Sequence, residues 1–257
     1  MKIVSLNIHK GFSVGNRKFI LEQLRKDLRQ SQADIVFLQE VIGEHAMHQQ
    51  KIDAWPIESQ FEFLADTVWP YHAYGKNAIY GHGHHGNAVL SHQAFTQRKN
   101  LNATIMSISQ RGILHGIIDN NVHLLCIHFG LFEFERTRQV KQLIDYIDTK
   151  IPRHEPIIMA GDFNDWRRFS HDRLIEQLGL VEAHSFVHGV CAKTYPAFFP
   201  VFSLDRIYLR GFEVKSCTRL RGTHWRNFSD HCGLVAELVK PTAQDYGAPK
   251  LRAMSLN

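Results

Sequence analysis

Short apolar runs, each closed by polar residues, recur along this chain of 257 residues. Ile3-Val4-Ser5-Leu6 is the first, and it ends in Asn7-Ile8-His9-Lys10-Gly11. A continuous short apolar run predicts a buried strand. Leu21, Leu24 and Leu28 then fall at helical spacing, with Lys and Arg on the opposite face and Asn16 as a candidate cap. Ala33 to Leu38 is a second strand, ending in Gln39-Glu40. The order strand, helix, strand predicts an α/β unit.

Val41 to about Phe61 is polar and reads as irregular. Trp69 to Tyr80 holds short aromatic strand candidates, and Gly81 to Gly86, with His82, His84 and His85, reads as a flexible loop before a strand at Asn87–Ser91. Segments near 101–108, 112–118 and 122–127 read as neighbouring strands, the last ending in His128. That density of adjacent strands differs from a simple doubly wound sheet. Val140, Leu143, Ile144 and Ile147 mark an amphipathic helix stopped by Pro152. Ile157-Ile158-Met159-Ala160 is a buried strand that turns at Gly161 into Asp162-Phe163-Asn164-Asp165. Leu174, Ile175 and Leu178 suggest a short helix, Leu204 to Leu209 a strand, and Ser229-Asp230-His231 introduces a last strand near 232–239. One domain over 1–240 and a polar tail over 241–257 are expected.

The hydrophobic fraction of 44% excludes global disorder, and the net charge of +5 suits an anionic partner such as nucleic acid, a phospholipid head group or another phosphate ester. Four cysteines without a C-x-x-C pair, no signal-peptide core and no membrane-length apolar run predict a cytoplasmic protein of a reducing compartment, without an integral membrane segment. No protein partner is implied.

Polar strand ends carry the chemistry: Asn7, Glu40, His128, Asp162 with Asn164, and Asp230 with His231. Asp205 stands between Leu204 and Ile207, where a lone carboxylate is costly. Carboxylates with carboxamides suit a hard divalent cation such as Mg²⁺, and no Cys/His pattern points to structural zinc. Trp166 and Trp225 either stack a base or apolar part of a substrate or pack against the rim, and the basic pairs Arg98-Lys99, Arg167-Arg168 and Arg219/Arg221 either track a phosphate backbone or form solvated surface. The aromatic run Tyr195, Phe198, Phe199 and Phe202 reads by default as core or loop anchor, the alternative being an apolar pocket beside the site for a deoxyribose or a lipid.

The ordered motifs Leu6-Asn7-Ile8, Leu38-Gln39-Glu40, Gly161-Asp162-Phe163-Asn164, Leu204-Asp205-Arg206-Ile207 and Ser229-Asp230-His231 resemble the endonuclease/exonuclease/phosphatase superfamily, over about residues 2–239. His9-Lys10-Gly11, Gly86-Asn87-Ala88 and Asp162 to Trp166 look most like its small bacterial YbhP-type members. The resemblance implies an α/β (α+β) four-layer sandwich, two packed mixed β-sheets with helices outside. It implies a Mg²⁺-dependent hydrolase, Mn²⁺ substituting, that acts on phosphoester bonds. A phosphodiesterase cleaving nucleic acid, DNA favoured, is the first expectation; a phospholipid or phosphorylated small molecule is the alternative. Glu40, Asp230 and Asn7 are implied as metal ligands. Asp162 is implied to orient or deprotonate water, Asn164 to hold a phosphate oxygen or Asp162 itself, and His128 to donate to a non-bridging oxygen. His231 is implied to contact the scissile phosphate, its tautomer fixed by Asp205; the choice of base between Asp162 and His231 stays open. Abasic-site endonucleases of this type carry an acid two residues after the first Asn, where this chain has His9.

Overall fold

The apolar runs are continuous because the strands they form are covered on both faces. In the computed structural model, which describes residues 1–220, 222 and 225–239, successive residues of one strand enter different cores. Along β2 (Ile35–His45), Ile35 and Phe37 point into the core between the sheets, while Val36 and Leu38 pack under helices. Along β8 (Ile157–Asp162), Ile158 and Ala160 face the central core, and Ile157 and Met159 face the other helical layer. This is the period-two alternation of a strand with no wet face.

Two six-stranded mixed sheets result. One has the order β11 (Glu213–Arg219), β12 (Leu234–Val239), β1 (Lys2–Asn7), β2, β4 (Gly83–Ser91), β3 (Tyr71–Tyr80). The other runs β5 (Gln97–Asn102), β6 (Gly112–Ile118), β7 (Val122–His128), β8, β10 (Asp205–Arg210), β9 (Val181–Glu182). α1 (Leu21–Ser31) and α3 (Gln60–Ala65) cover the first sheet through Leu24, Leu28 and Leu64. α4 (Glu133–Lys150) and α5 (Phe169–Leu178) cover the second through Val140, Leu143, Ile147 and Leu174. The four-layer sandwich is therefore as expected. Across its middle, Asn87 donates to the Gly112 and Cys126 carbonyls at 3.0 and 3.2 Å, joining the sheets with polar contacts in an otherwise apolar layer.

Several expectations shift. The stretch after Glu40 is ordered: β2 continues to His45, and α2 (Ala46–Lys51) and α3 follow. Gly81 to Gly86 is no loop; β3 and β4 form one long hairpin with only 81 and 82 between them. Its sequence hides this because His84 and His85 break the apolar pattern while pairing as strand residues with Ile79 and Ala78. β5 lies at 97–102 rather than 101–108, and α6 (Ala183–His188) and β11 were not anticipated. α1 begins after Ile20, without a side-chain cap, behind a 3-10 turn that contains Asn16. The polar tail 241–257 and Arg221 lie outside the described residues. Among those described, no helix is long and apolar enough to cross a membrane, and all four cysteines are buried.

A buried polar chain ties the second sheet to α4. Glu155 accepts from His123 Nε2 at 2.6 Å, His123 Nδ1 meets His115 Nε2 at 2.8 Å, and His115 Nδ1 meets the Tyr146 hydroxyl at 2.9 Å. Burial first, then His123 and Lys99, lowers His115 to about 4. Its neutral form is favoured in the folded state, so its contribution is complete above the unfolded value of about 6.5 and is lost as pH falls toward 4. Unfolding free energy from urea titrations is expected to drop by up to about 3 kcal/mol across that window. His115→Phe is expected to flatten this segment; a wild-type curve flat from pH 6.5 to 4 contradicts the account.

Candidate active site

Register builds the site. β1 pairs parallel with β2, placing Asn7 opposite Gln39 and beside the following Glu40. β7 pairs parallel with β8, His128 opposite Asp162, and antiparallel β10 sets Asp205 opposite Asp162 from the other side. One row across the second sheet thus carries His128, Asp162 and Asp205. The first sheet faces it with Asn7 and Glu40. Gly161 makes the row possible: its φ is 147°, and a methyl there would sit 2.0 Å from the Ile127 carbonyl oxygen.

Asp162 is the centre. Its Oδ1 accepts from the Asn164 amide at 2.9 Å; Oδ2 accepts from Asn7 Nδ2 and Asn164 Nδ2, both at 3.3 Å. His128 Nε2 and His231 Nε2 stand 3.6 and 3.7 Å from Oδ2. Asn164 also donates to the Phe129 carbonyl at 3.0 Å. On the far side of His231, Nδ1 meets Asp205 Oδ2 at 2.8 Å, which puts the ring proton on Nδ1 beside the carboxylate. The chain Asp205–His231–Asp162 is buried throughout. The Ser229 hydroxyl accepts from the His231 amide at 3.1 Å and donates to Asp230 at 3.2 Å, fixing the loop that presents both residues.

Electrostatics follow from this packing. Burial is the largest influence on Asp162 and raises it to about 7, with Asp205 adding to the rise and His231 opposing it. His231 goes the other way from an ordinary buried imidazole: burial lowers it, but Asp205 and Asp162 outweigh burial and lift it to about 10. His128 is held well below the usual histidine range, chiefly by burial and then by the cations Arg111 and His231. The site thus contains one neutral imidazole and one that favours the charged form.

Glu40 sits at a bulge inside β2 rather than at a strand end, with φ 57°. His9, Lys10 and Asn164 share this left-handed backbone, at 45°, 60° and 49°. Strained residues concentrated at one place are held there by surrounding structure, a pattern common at functional sites. Asn7 Nδ2 lies 3.4 Å from Glu40 Oε1, and Lys10 Nζ lies 3.9 Å from Oε2. Burial pushes Glu40 up, yet Lys10, His85 and Asn7 together bring it below its usual value. It is therefore an ionised oxygen donor on a half-buried surface beside the Asn7 carboxamide, whereas Asp230 bears on His231. Asp162, Asp205 and His231 also lie within ion-binding distance of one another. His231 Nδ1 is already bonded to Asp205, so this group reads as proton-handling.

The remaining sequence candidates divide. Asp205 pairs with His231 and not with Arg206; Arg206 is fully buried and bonds Asp165 Oδ2 at 2.9 Å and the Asp165 carbonyl at 2.8 Å. That buried pair clamps the loop just beyond Asn164. His84 bonds Tyr74 at 3.0 Å, away from the site, whereas His85 acts on Glu40. Trp225 packs edge-on against core Phe228. The aromatic run is largely exposed instead of core: Phe198 and Phe199 are 73% and 69% accessible. Only Tyr195 turns inward, its ring 4.9 Å from His231. Trp166 meets Phe202 edge-to-face at 5.9 Å with Arg136 over its ring at 5.7 Å. The motif reading missed Lys10, His85, Arg111 and Tyr195, which bear on the site only through tertiary packing.

Paired sheets with a buried Asp–His–Asp chain at their shared edge frame this site. The chain belongs to the Endonuclease/Exonuclease/phosphatase family, whose model matches residues 4–231. The protein YbhP of Escherichia coli K12 is 43% identical over 242 residues, covering 92% of this chain and 95% of that protein. Among solved structures, an endonuclease/exonuclease/phosphatase from Beutenbergia cavernae superposes with TM-score 0.76 at 17% identity, over 93% of this chain and 71% of its own. D. rerio TDP2 complexed with single strand DNA product superposes at 0.67 and 17% identity, over 93% and 98%. The family is one of divalent-metal-dependent phosphoester hydrolases.

Asp205→Asn removes the largest charge that lifts His231. The His231 pKa, followed by NMR of its ring carbon-bound protons, is expected to fall in that variant. An unchanged titration contradicts the pairing.

Proposed function

We propose that this chain is a divalent-metal-dependent phosphodiesterase that cleaves nucleic acid, DNA favoured. The observation that carries this reading is the buried chain Asp205–His231–Asp162 meeting Glu40, Asn7, Asn164 and His128 at one sheet edge. In-line displacement at phosphorus needs a group to take a proton from water and fixed positive charge for the developing oxyanions. Asp162, raised toward neutrality by burial, accepts that proton or aims the water. His231, kept protonated by Asp205, donates to a non-bridging phosphate oxygen, and Asn164 steadies Asp162. His128, neutral in its pocket, adds a second donor. Glu40, Asn7 and Asp230 would hold Mg²⁺, with Mn²⁺ as a substitute; the bound ion supplies charge neutralisation at the phosphoryl oxygens.

The net charge of +5 supports a polyanionic substrate. A second reading, the same chemistry on a phospholipid or phosphorylated small molecule, draws on the exposed aromatic side chains Phe132, Phe134, Trp166, Phe198 and Phe199.

Purified protein with Mg²⁺ is expected to nick supercoiled plasmid. Asp162→Asn and Glu40→Ala are each expected to slow nicking by about 10²- to 10⁴-fold at unchanged melting temperature. Chelator is expected to abolish it. Nicking that survives in both folded variants refutes the site. No nicking, with metal-dependent release of phosphate or a head group from a lipid panel, moves the reading to the second substrate class.

A further inference from the structure

The strand that delivers Glu40 continues past it through Ile42 to His45. His45 then caps α2, its Nδ1 accepting from the His48 amide at 3.1 Å. Cap and helix bring the two imidazoles face to face, with centroids 3.6 Å apart at 21°. Phe12 stands 5.3 Å from His48, and Tyr80 stands 5.7 Å from His45. Trp55 backs His48 at 5.1 Å and is itself stacked on Phe19 at 4.9 Å. Phe12, His45, His48 and Tyr80, with Ile42 and Lys10, line a cavity of ≈ 470 Å³.

Its wall is thus four rings, one aliphatic side chain and one cation. Lys10 is shared with the catalytic edge through Glu40. On β2, Ile42 lies two residues and His45 five residues beyond Glu40. Burial, with Lys10 among the neighbouring charges, holds His45 and His48 below the usual histidine range, so both are neutral rings near pH 7. Bond cleavage makes no use of such a cavity. Its surfaces suit a flat π-bearing group tied to an anion: rings offer stacking faces, imidazole edges offer hydrogen bonds, and Lys10 meets the charge. An acyl chain would offer no hydrogen-bond partner to the imidazole edges of His45 and His48.

We propose that the cavity between Phe12, His45, His48 and Tyr80 is a nucleobase subsite, holding the base of a nucleotide whose phosphate lies at Glu40 and Asp162. The proposal rests on the nucleic-acid reading of the site. It assigns substrate selection to the segment after Glu40, which the polar sequence of 41–61 had left without structure.

The test reads binding without turnover. The full chain carrying Asp162→Asn, with Mg²⁺, is titrated by calorimetry with AMP and with ribose 5-phosphate. Stacking of one base is expected to make AMP bind about 5- to 150-fold tighter. Adding His48→Ala is expected to bring that ratio close to one while ribose 5-phosphate affinity stays unchanged; His48→Phe, which keeps a flat face, is expected to restore it. Circular dichroism and melting temperature confirm that each variant is folded. Equal affinity for AMP and ribose 5-phosphate, or a ratio unaffected by His48→Ala, overturns the subsite. A chain that nicks DNA yet shows no base preference sinks the subsite alone. One that shows the preference and hydrolyses no phosphodiester supports the subsite and sinks the function.

Discussion

A carboxylate with almost no exposure to water organises this protein. Asp162 is 1% accessible and makes its contacts entirely with other polar groups: the amide and carboxamide of Asn164, the carboxamide of Asn7, and two imidazoles. An isolated buried carboxylate would cost several kcal/mol and would simply protonate. Here burial raises Asp162 to about 7, and the charge of His231 opposes that rise. His231 depends in turn on Asp205, since burial alone would strip its proton. Three residues from three chain segments therefore stand or fall together.

Sheet pairing makes that arrangement possible. Parallel pairs carry both chains the same way, so β7 with β8 brings two polar termini to one edge and β1 with β2 brings the end of β1 beside the bulge at Glu40. Antiparallel β10 then enters where β8 leaves. The two sheets add their edges across the central apolar layer, with Asn87 and Gln39 bonded through Cys126 at its middle. Rigidity just beyond the edge comes from Arg206 and Asp165, whose buried bonds hold the turn after Asn164. Left-handed backbone at Glu40 and Asn164 is held by this packing, while Gln32, Asp66 and Asn121 adopt it elsewhere in the chain.

Much of this was legible in the chain. Strands with two buried faces announce themselves as unbroken apolar runs, so β1, β7, β8 and β10 and their polar ends could be read directly. The family motifs then named candidates, of which Asp162, Asn164, Asn7, His128, Asp205, His231 and Glu40 converge in space. What stayed hidden depends on partners distant in sequence. His84 and His85 look like loop residues until β3 pairs with them. Lys10 and His85 matter because they face Glu40. Asp205 has a neighbouring arginine in sequence, but Arg206 points to the opposite face of β10, as strand geometry requires. The exposed phenylalanines at 198 and 199 depart from the general burial rule, which nothing in their sequence pattern announces.

The central claim is that this edge hydrolyses phosphoesters. A small diester without base or lipid tests it apart from any substrate preference. Initial rates on bis(p-nitrophenyl) phosphate should require Mg²⁺ or Mn²⁺ and should fall by about 10²-fold or more in His231→Gln, which keeps the size of the side chain but cannot carry charge. Metal-dependent hydrolysis at equal rates by folded wild-type and His231→Gln proteins would contradict it.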